Sequence, residues 1–443
     1  MRVPTRFRPY LRWLLPGMGV KRWLLVMALG VALLGLGLGI LLAQVPLFSV
    51  VPRYLGLDFL PVGARALVYG LLGLAVLILG LARLNRTLLS PFVPDTRAAA
   101  EALYRHRKRS RGPRVVAIGG GHGLSTLLRG LKTRTSNITA IVTVADDGGS
   151  SGRLRRALGV LPPGDIRNCL AALADDEALL AQLFQYRFPA TSVEAGLNGH
   201  SFGNLFITAM AEVTGSFERA VLESSRVLAI QGRVLPSTLH SVTLMGDLRN
   251  EPVGVSRVEG ESRIASAGGV IERVYLEPDD VPAYPEAVRA ILEADLIVLG
   301  PGSLYTSLLP NLLVREIARA VAASRAVRVY VCNVATQPGE TDGYTVEDHV
   351  AALERHVEPG LFPLVLANAN FAHADALPEG VEPVRLGTLP PPGPEGGGPV
   401  GTLHLNATYT LYAADLVDPT HPWRHDGRKL VRALMTLLER ERV

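Results

Sequence analysis

The sequence predicts a doubly wound α/β domain with a mainly parallel sheet, preceded by two transmembrane helices. Three observations carry that prediction. Two long apolar runs near the N-terminus hold no charge, short β-branched runs alternate with helical patterns beyond residue 113, and glycine-rich loops close several of those runs. The chain of 443 residues exceeds the usual size of one domain. With 48% hydrophobic residues, 19% charged residues and a mean hydropathy of +0.25, it is too apolar for a disordered or wholly soluble protein.

The charge is divided along the chain. Residues 1–111 carry 16 bases against 3 acids, whereas residues 112–443 carry 29 bases against 37 acids. The net +5 and the pI near 9.3 therefore belong to the N-terminal segment. A mildly acidic main body is no nucleic-acid partner. Two cysteines, Cys169 and Cys332, are too few for a disulfide framework or a zinc site, and fit a reducing compartment.

A basic N-terminus (1–22) leads into the first predicted span, 23–45, since no charge occurs from Trp23 to Pro52. A short external loop (46–65) and a second span (66–82) follow. The apolar core of the first run is too long for a cleaved signal peptide. Arginines crowd before the first run and after the second, so the positive-inside rule puts both termini and the main body in the cytoplasm, as in a multi-pass cell-membrane protein. Gly35 and Gly39 form a GxxxG, which is either a helix contact face or ordinary membrane-helix glycine. The basic linker 83–112, with Arg105 to Arg111, suits anionic headgroups as well as topology.

The main body, 113–443, opens with a strand at 114–118, a glycine loop, a helical stretch and a second strand at 138–144: a βαβ unit. Further strands are expected at 241–245, 296–299, 327–332 and 364–367. Helices are expected at 165–174, 177–186, 204–212, 218–229, 311–323, 346–355 and 429–441, those from 165 to 229 forming a subsidiary lobe. Residues 389–401 read as a Pro/Gly loop.

Five constellations carry chemistry. Gly119-Gly120-Gly121-His122-Gly123 joins a strand to a helix, where glycines admit a phosphate to backbone N–H groups. It matches neither the dinucleotide fingerprint nor Walker A. Asp146 and Asp147 open a loop with Ser150, Ser151 and Arg153, suited to a divalent cation, ribose hydroxyls or an anion. Asp165 reads as a helix N-cap that leaves Arg167 and Asn168 in the crevice. His200 and Asn204 come from a Gly-punctuated loop, and its Ser-His pair lacks the G-x-S-x-G elbow of a hydrolase. Gly300, Gly302, Ser303, Tyr305 and Thr306 follow another strand, with Tyr305 placed to stack on a base. Asn333, Thr336 and Gln337 follow the next. Arg424, before the last helix, offers a planar fork for a diphosphate or a uracil edge, and Asp426 reads as that helix's cap.

The stretches GGGHGLSTLLRGLK, SNITAIVTVADDGGSSGRLR, PPGDIRNCLAALAD, GHSFGNL, GPGSLYTSLLPNLLV, CNVATQPGETDGYT and RHDGRKL resemble the YvcK family of the CofD-like superfamily over about residues 113–441. The family loop usually reads GGGTG, and His122 here replaces the Thr. The resemblance implies a Rossmann-like fold and a UDP-sugar ligand such as UDP-N-acetylglucosamine. It also implies a regulatory, non-catalytic role in carbon metabolism, peptidoglycan precursor supply and cell shape, with a protein partner in that pathway and an oligomeric state. The superfamily's enzyme branch transfers a phospholactyl group with magnesium, and Asp146 and Asp147 occupy the corresponding loop. A 2-phospho-L-lactate-type transferase and an NAD(P)-binding enzyme are the alternative readings, the latter because Asp146 lies where a ribose-binding acid would sit.

Overall fold

The computed structural model describes residues 107–174, 178–189, 196–250, 254–372, 374–387, 401–406 and 409–442, with a few single positions between 31 and 75. The chain splits into two compact units, Met1–Lys108 and Arg109–Val443. In the first unit, Val31 and Gly35, and then Val68 and Gly70 to Gly73, are helical and exposed. Among the described residues no helix is long and apolar enough to cross a membrane. Most of both predicted spans, Gly39, the linker 83–106 and most of the Pro/Gly loop lie outside the described residues.

The second unit is built on an eight-stranded sheet. Its β-branched runs make β1 (Val115–Gly119) and β2 (Ile138–Val142), buried at every position as expected of central parallel strands. Helix α1 (Gly121–Leu131) joins them. Then come α2 (Gly149–Leu158), α3 (Gly164–Leu173), α4 (Ala178–Gln185), α5 (Phe202–Thr214), α6 (Phe217–Val227) and β3 (Arg233–Pro236). A three-stranded antiparallel sheet follows, of β4 (Thr243–Asn250), β5 (Gly254–Glu259) and β6 (Val270–Glu277), with the short α7 (Glu261–Ile264) between the last two. The chain returns through α8 (Pro285–Leu292) to β7 (Leu296–Leu299), α9 (Leu309–Leu312), α10 (Arg315–Ala323), β8 (Val327–Val331), α11 (Val346–Glu354) and β9 (Leu364–Asn368). It ends with β10 (Gly401–Asn406), β11 (Tyr409–Ala414) and α12 (Gly427–Glu441).

The large sheet runs β10-β11-β9-β8-β7-β1-β2-β3, and only β10 is antiparallel. Alternate residues of β1 enter opposite cores. Val115 and Ala117 join α1, α3 and α12, while Val116 and Ile118 join α8, α10, α11 and the small sheet. The chain winds one way from β1 through β2 to β3 and the other way from β7 to β11. The switch point therefore lies between β1 and β7, where such folds open a crevice at the strands' carboxyl ends.

Three expectations need correction. The strand expected at 241–245 is β4 of the separate antiparallel sheet. Alternating burial in β6, Val270 outward and Ile271 inward, marks a one-sided sheet covering the main core. The helix expected at 311–323 is broken between Leu312 and Arg315, and its first piece, α9, follows a π-turn at Leu304–Leu308. The Asn311 side-chain amide, buried in the core, donates to the carbonyls of Gly119 and Ser307, the latter within the π-turn. Asp165 is not the cap of α3. Pro163 holds that position, and Asp165 sits one residue into the helix, where it accepts the Gly121 N–H of α1. Asp426 does cap α12, accepting from the N–H groups of Arg428 and Lys429.

Candidate functional site

A crevice of about 570 Å³ lies at the switch point. Its floor is Gly120, Gly121, His122 and Gly123 from the turn between β1 and α1, and Pro301, Gly302 and Ser303 after β7. Asn333, Thr336 and Gln337 after β8 form a third wall, and Trp423 and Arg424 close the side nearest the C-terminus. Adjacent strands thus deliver these loops to one place. The glycines do more than admit a ligand. A Cβ on Gly123 would lie 2.5 Å from the Pro301 carbonyl oxygen, so the loops after β1 and β7 touch there through backbone. Gly121 has φ +62°, a conformation that only glycine adopts cheaply.

Arg424 reaches this crevice because α12 packs closely on α1. A Cβ on Gly427 would come within 2.7 Å of the Thr126 carbonyl oxygen, and one on Gly130 would strike the Gly427 carbonyl. Two glycines facing each other bring the α12 entry loop beside the α1 N-terminus. Burial and the charges of Arg424, Arg167 and Arg129 push the His122 imidazole below its usual range, so it is neutral near pH 7. One side of the crevice is therefore strongly cationic.

The other side is acidic. Asp165 lines it, and so does Glu261, delivered by α7 from the small sheet. Asp147 locks that element down by accepting the Ser262 N–H at 2.9 Å. Asp146 sits behind, accepting the Gly148 N–H at 2.9 Å and bonded to the Glu261 carboxyl. Burial, with Asp146 next, pushes Asp165 up to about 7; burial, Asp146 and Asp165 push Glu261 up to about 9. Near neutral pH Glu261 thus carries a proton and shares it with Asp146. Among the described residues no group of three or more His, Cys, Asp or Glu side chains is disposed to hold a metal. A carboxyl raised in the folded state stabilises fully below its unfolded pKa, and that contribution is lost as pH rises through about 9. Melting temperature of the ligand-free protein should fall between pH 5 and pH 9, and Glu261→Gln should flatten the curve. An unchanged slope in that variant would place the dependence elsewhere.

Several expected site residues do not reach the crevice. Ser150 and Ser151 are buried, receiving the Asn204 side-chain amide at 3.1 and 3.4 Å. Arg153 Nε donates to His200 Nε2 at 3.1 Å, which leaves the ring proton on Nδ1, facing Ser150 Oγ at 3.0 Å. His200 therefore cannot accept the Ser150 proton, and the pair is structural. Asn168 accepts from Arg167, whose buried Nε has no partner among the described residues. Arg167 does not line the crevice, but its charge bears on His122 and Asp165. Tyr305 does not stack on a ligand: it is fully buried, its hydroxyl 2.9 Å from that of Tyr344. Thr306 is buried too, donating to Glu340 at 2.8 Å. Gly119 ends β1, its carbonyl held by Asn311, and Gly300 shapes the turn after β7 at φ +83°.

Glu261, Arg129, Asp165 and Trp423 line the crevice but were absent from the expected set. Glu261 lies on a different sheet, and no spacing rule links it to the glycine loop. Asp165 was legible as a motif residue, but a capping pattern hid its longer reach.

Comparison with known proteins fits this geometry. Residues 115–386 match the family model described as 2-phospho-L-lactate transferase CofD. A relative from Nostoc sp. is 52% identical over 385 residues, 85% of this chain and 82% of that one. The Bacillus subtilis protein named gluconeogenesis factor is 52% identical over 258 residues, 58% of this chain and 79% of its own. A crystal structure of a UPF0052-family protein from Bacillus halodurans is 43% identical, covering 73% of this chain and 99% of that one at a TM-score of 0.63.

Proposed function

Because the chain belongs to the gluconeogenesis-factor (YvcK, UPF0052) group of the CofD family, we propose that its crevice binds a UDP-sugar, UDP-N-acetylglucosamine in the first instance, and that the protein is a regulator and not an enzyme. The observation that carries this reading is the meeting of the α1 N-terminus with Arg129 and Arg424 in one crevice. Backbone N–H groups and guanidinium forks are the chemistry that holds a diphosphate. A volume of about 570 Å³ suits a nucleotide-sized ligand. Among the described residues lining the crevice, no side chain is hydrogen-bonded to a base as a nucleophile would be. The NAD(P) reading weakens because Asp146, the expected ribose acid, is engaged by Gly148 and Glu261. The transferase reading keeps the support of the family model alone. Titrating the purified protein with UDP-N-acetylglucosamine, GDP and NAD separates the three. Tight binding of GDP or NAD in preference to the UDP-sugar would overturn the proposal.

The N-terminal segment is proposed as a two-helix membrane anchor with both ends cytoplasmic, serving cell-wall precursor supply and cell shape from the membrane surface. Its support is the pair of uncharged runs and the arginines flanking them. The anchor should not contribute to the ligand site. The Bacillus halodurans structure consists almost wholly of the matching unit, so a protein beginning at Arg109 should fold alone. It should bind the same ligand within about threefold of the full chain. Correct folding with lost affinity would show that the anchor takes part in the site.

A further inference from the structure

Ser303 and Gln337 both line the crevice, and both end in groups that can donate or accept. In isolation neither would say what kind of ligand atom it faces. A third residue removes the ambiguity. Glu340, three residues beyond Gln337 and outside the crevice, is buried, and its Oε1 accepts from Gln337 Nε2 at 2.7 Å and from Thr306 Oγ1 at 2.8 Å. The backbone N–H groups of Tyr305 and Thr306 point at the same carboxyl. With its nitrogen turned to Glu340, the Gln337 amide must present its oxygen to Ser303. The Ser303 hydroxyl donates to that oxygen at 2.5 Å.

A serine hydroxyl has one proton. Once that proton is committed to Gln337, only lone pairs remain for the crevice. We infer that Glu340 is a positioning residue which, acting through Gln337, fixes Ser303 as a hydrogen-bond acceptor, so that the ligand group recognised there is a donor: a sugar hydroxyl, an amide N–H or a ring N–H. The inference deepens the nucleotide-sugar reading and rests on it for the identity of the ligand, but not for the polarity of the relay.

Glu340 keeps this role whether or not it is ionised. Burial pushes its carboxyl up to about 7 against the hydrogen bonds it receives. Its Oε2 has no partner among the described residues and is the natural seat of a proton, which leaves Oε1 an acceptor in both states. The relay also ties the loop after β8 to the π-turn after β7, so polarity and loop position are set by the same group. Glu340→Gln is the informative change. It preserves volume, but its amide can offer N–H to Gln337, allow that amide to turn over, and release the Ser303 proton towards the ligand.

The test has two arms, both on the unit beginning at Arg109. In the first, without ligand, side-chain amide resonances of selectively labelled glutamine are followed. The Gln337 protons should be displaced and slow to exchange, and should lose that protection in Glu340→Gln. Protons that exchange like those of a free amide in both proteins would overturn the relay. In the second, UDP-N-acetylglucosamine is compared with analogues lacking one donor each: UDP-2-deoxyglucose for the acetamido N–H, N3-methyl and 2′-deoxy nucleotides, and other deoxy-sugars. The wild type should discriminate against one analogue by about tenfold. That discrimination should vanish in Ser303→Ala and shrink in Glu340→Gln, with little change in melting temperature. Equal weakening for every ligand in both variants would reduce Glu340 to a packing role and overturn the inference. A wild type that binds no nucleotide-sugar but passes the first arm would reject the proposed ligand and leave the polarity standing.

Discussion

Arg424→Ala should weaken binding of UDP-N-acetylglucosamine by about 10- to 150-fold, the loss of one charged hydrogen bond or about 1.5–3 kcal/mol. The side chain is exposed at the crevice rim, and its charge already bears on His122 across from it. Its backbone is held by the loop, with the N–H donating to the His421 carbonyl at 2.8 Å and the carbonyl accepting from Asp418 at 3.0 Å. Truncation should therefore leave the loop and the Asp426 cap in place, and the ligand-free melting temperature should stay within about a degree, as for surface changes generally. Calorimetric titration of both proteins checks this. An unchanged affinity would move the diphosphate contact to Arg129, the other arginine on the same wall.

Gly123→Val should cost more, because it acts on the shape of the crevice. The added branch starts 2.5 Å from the Pro301 carbonyl oxygen and 2.8 Å from its carbon, so the loops after β1 and β7 must separate. Overpacking of that kind costs about 1–3 kcal/mol of stability. The displaced loop carries Gly302 and Ser303, so affinity should fall by at least about tenfold beyond any loss of folded protein. Gly121→Val is a poorer probe, since its φ of +62° would strain any side chain before a ligand is considered. His122→Thr is the matched control. It alters the neighbouring side chain without touching the backbone contact, and binding should stay within about threefold. Loss of binding in His122→Thr with normal binding in Gly123→Val would refute the backbone cradle.

The parallel βαβ opening, the glycine turn after β1 and the cap of α12 were legible because each rests on local chemistry. β-branched runs exclude water on both faces, consecutive glycines permit an unusual turn, and an aspartate three residues before Lys429 satisfies free N–H groups. Ser303, Asn333 and Gln337 could be placed near one another for the same reason, since parallel strands deliver their carboxyl ends to one edge. Tyr305 and Thr306 belong to the same run of residues yet face the core. Both lie buried in the π-turn Leu304–Leu308, whose Ser307 carbonyl accepts from Asn311, an amide that also donates to Gly119, 192 residues away in sequence.

By itself, then, the sequence determined the α/β class of the main body, the family and the ends of the strands from which a site could be built. Only the tertiary structure decided which polar residues see the crevice. It buried Ser150, His200 and Asn204 in a network of their own, and it brought Glu261 from the small sheet to face Asp146. It also turned Gln337 through Glu340. The reason is physical. Strand and helix periodicity are set by neighbours two to four residues apart, whereas the direction of a polar side chain is set by whichever partner satisfies it, and here those partners come from other elements.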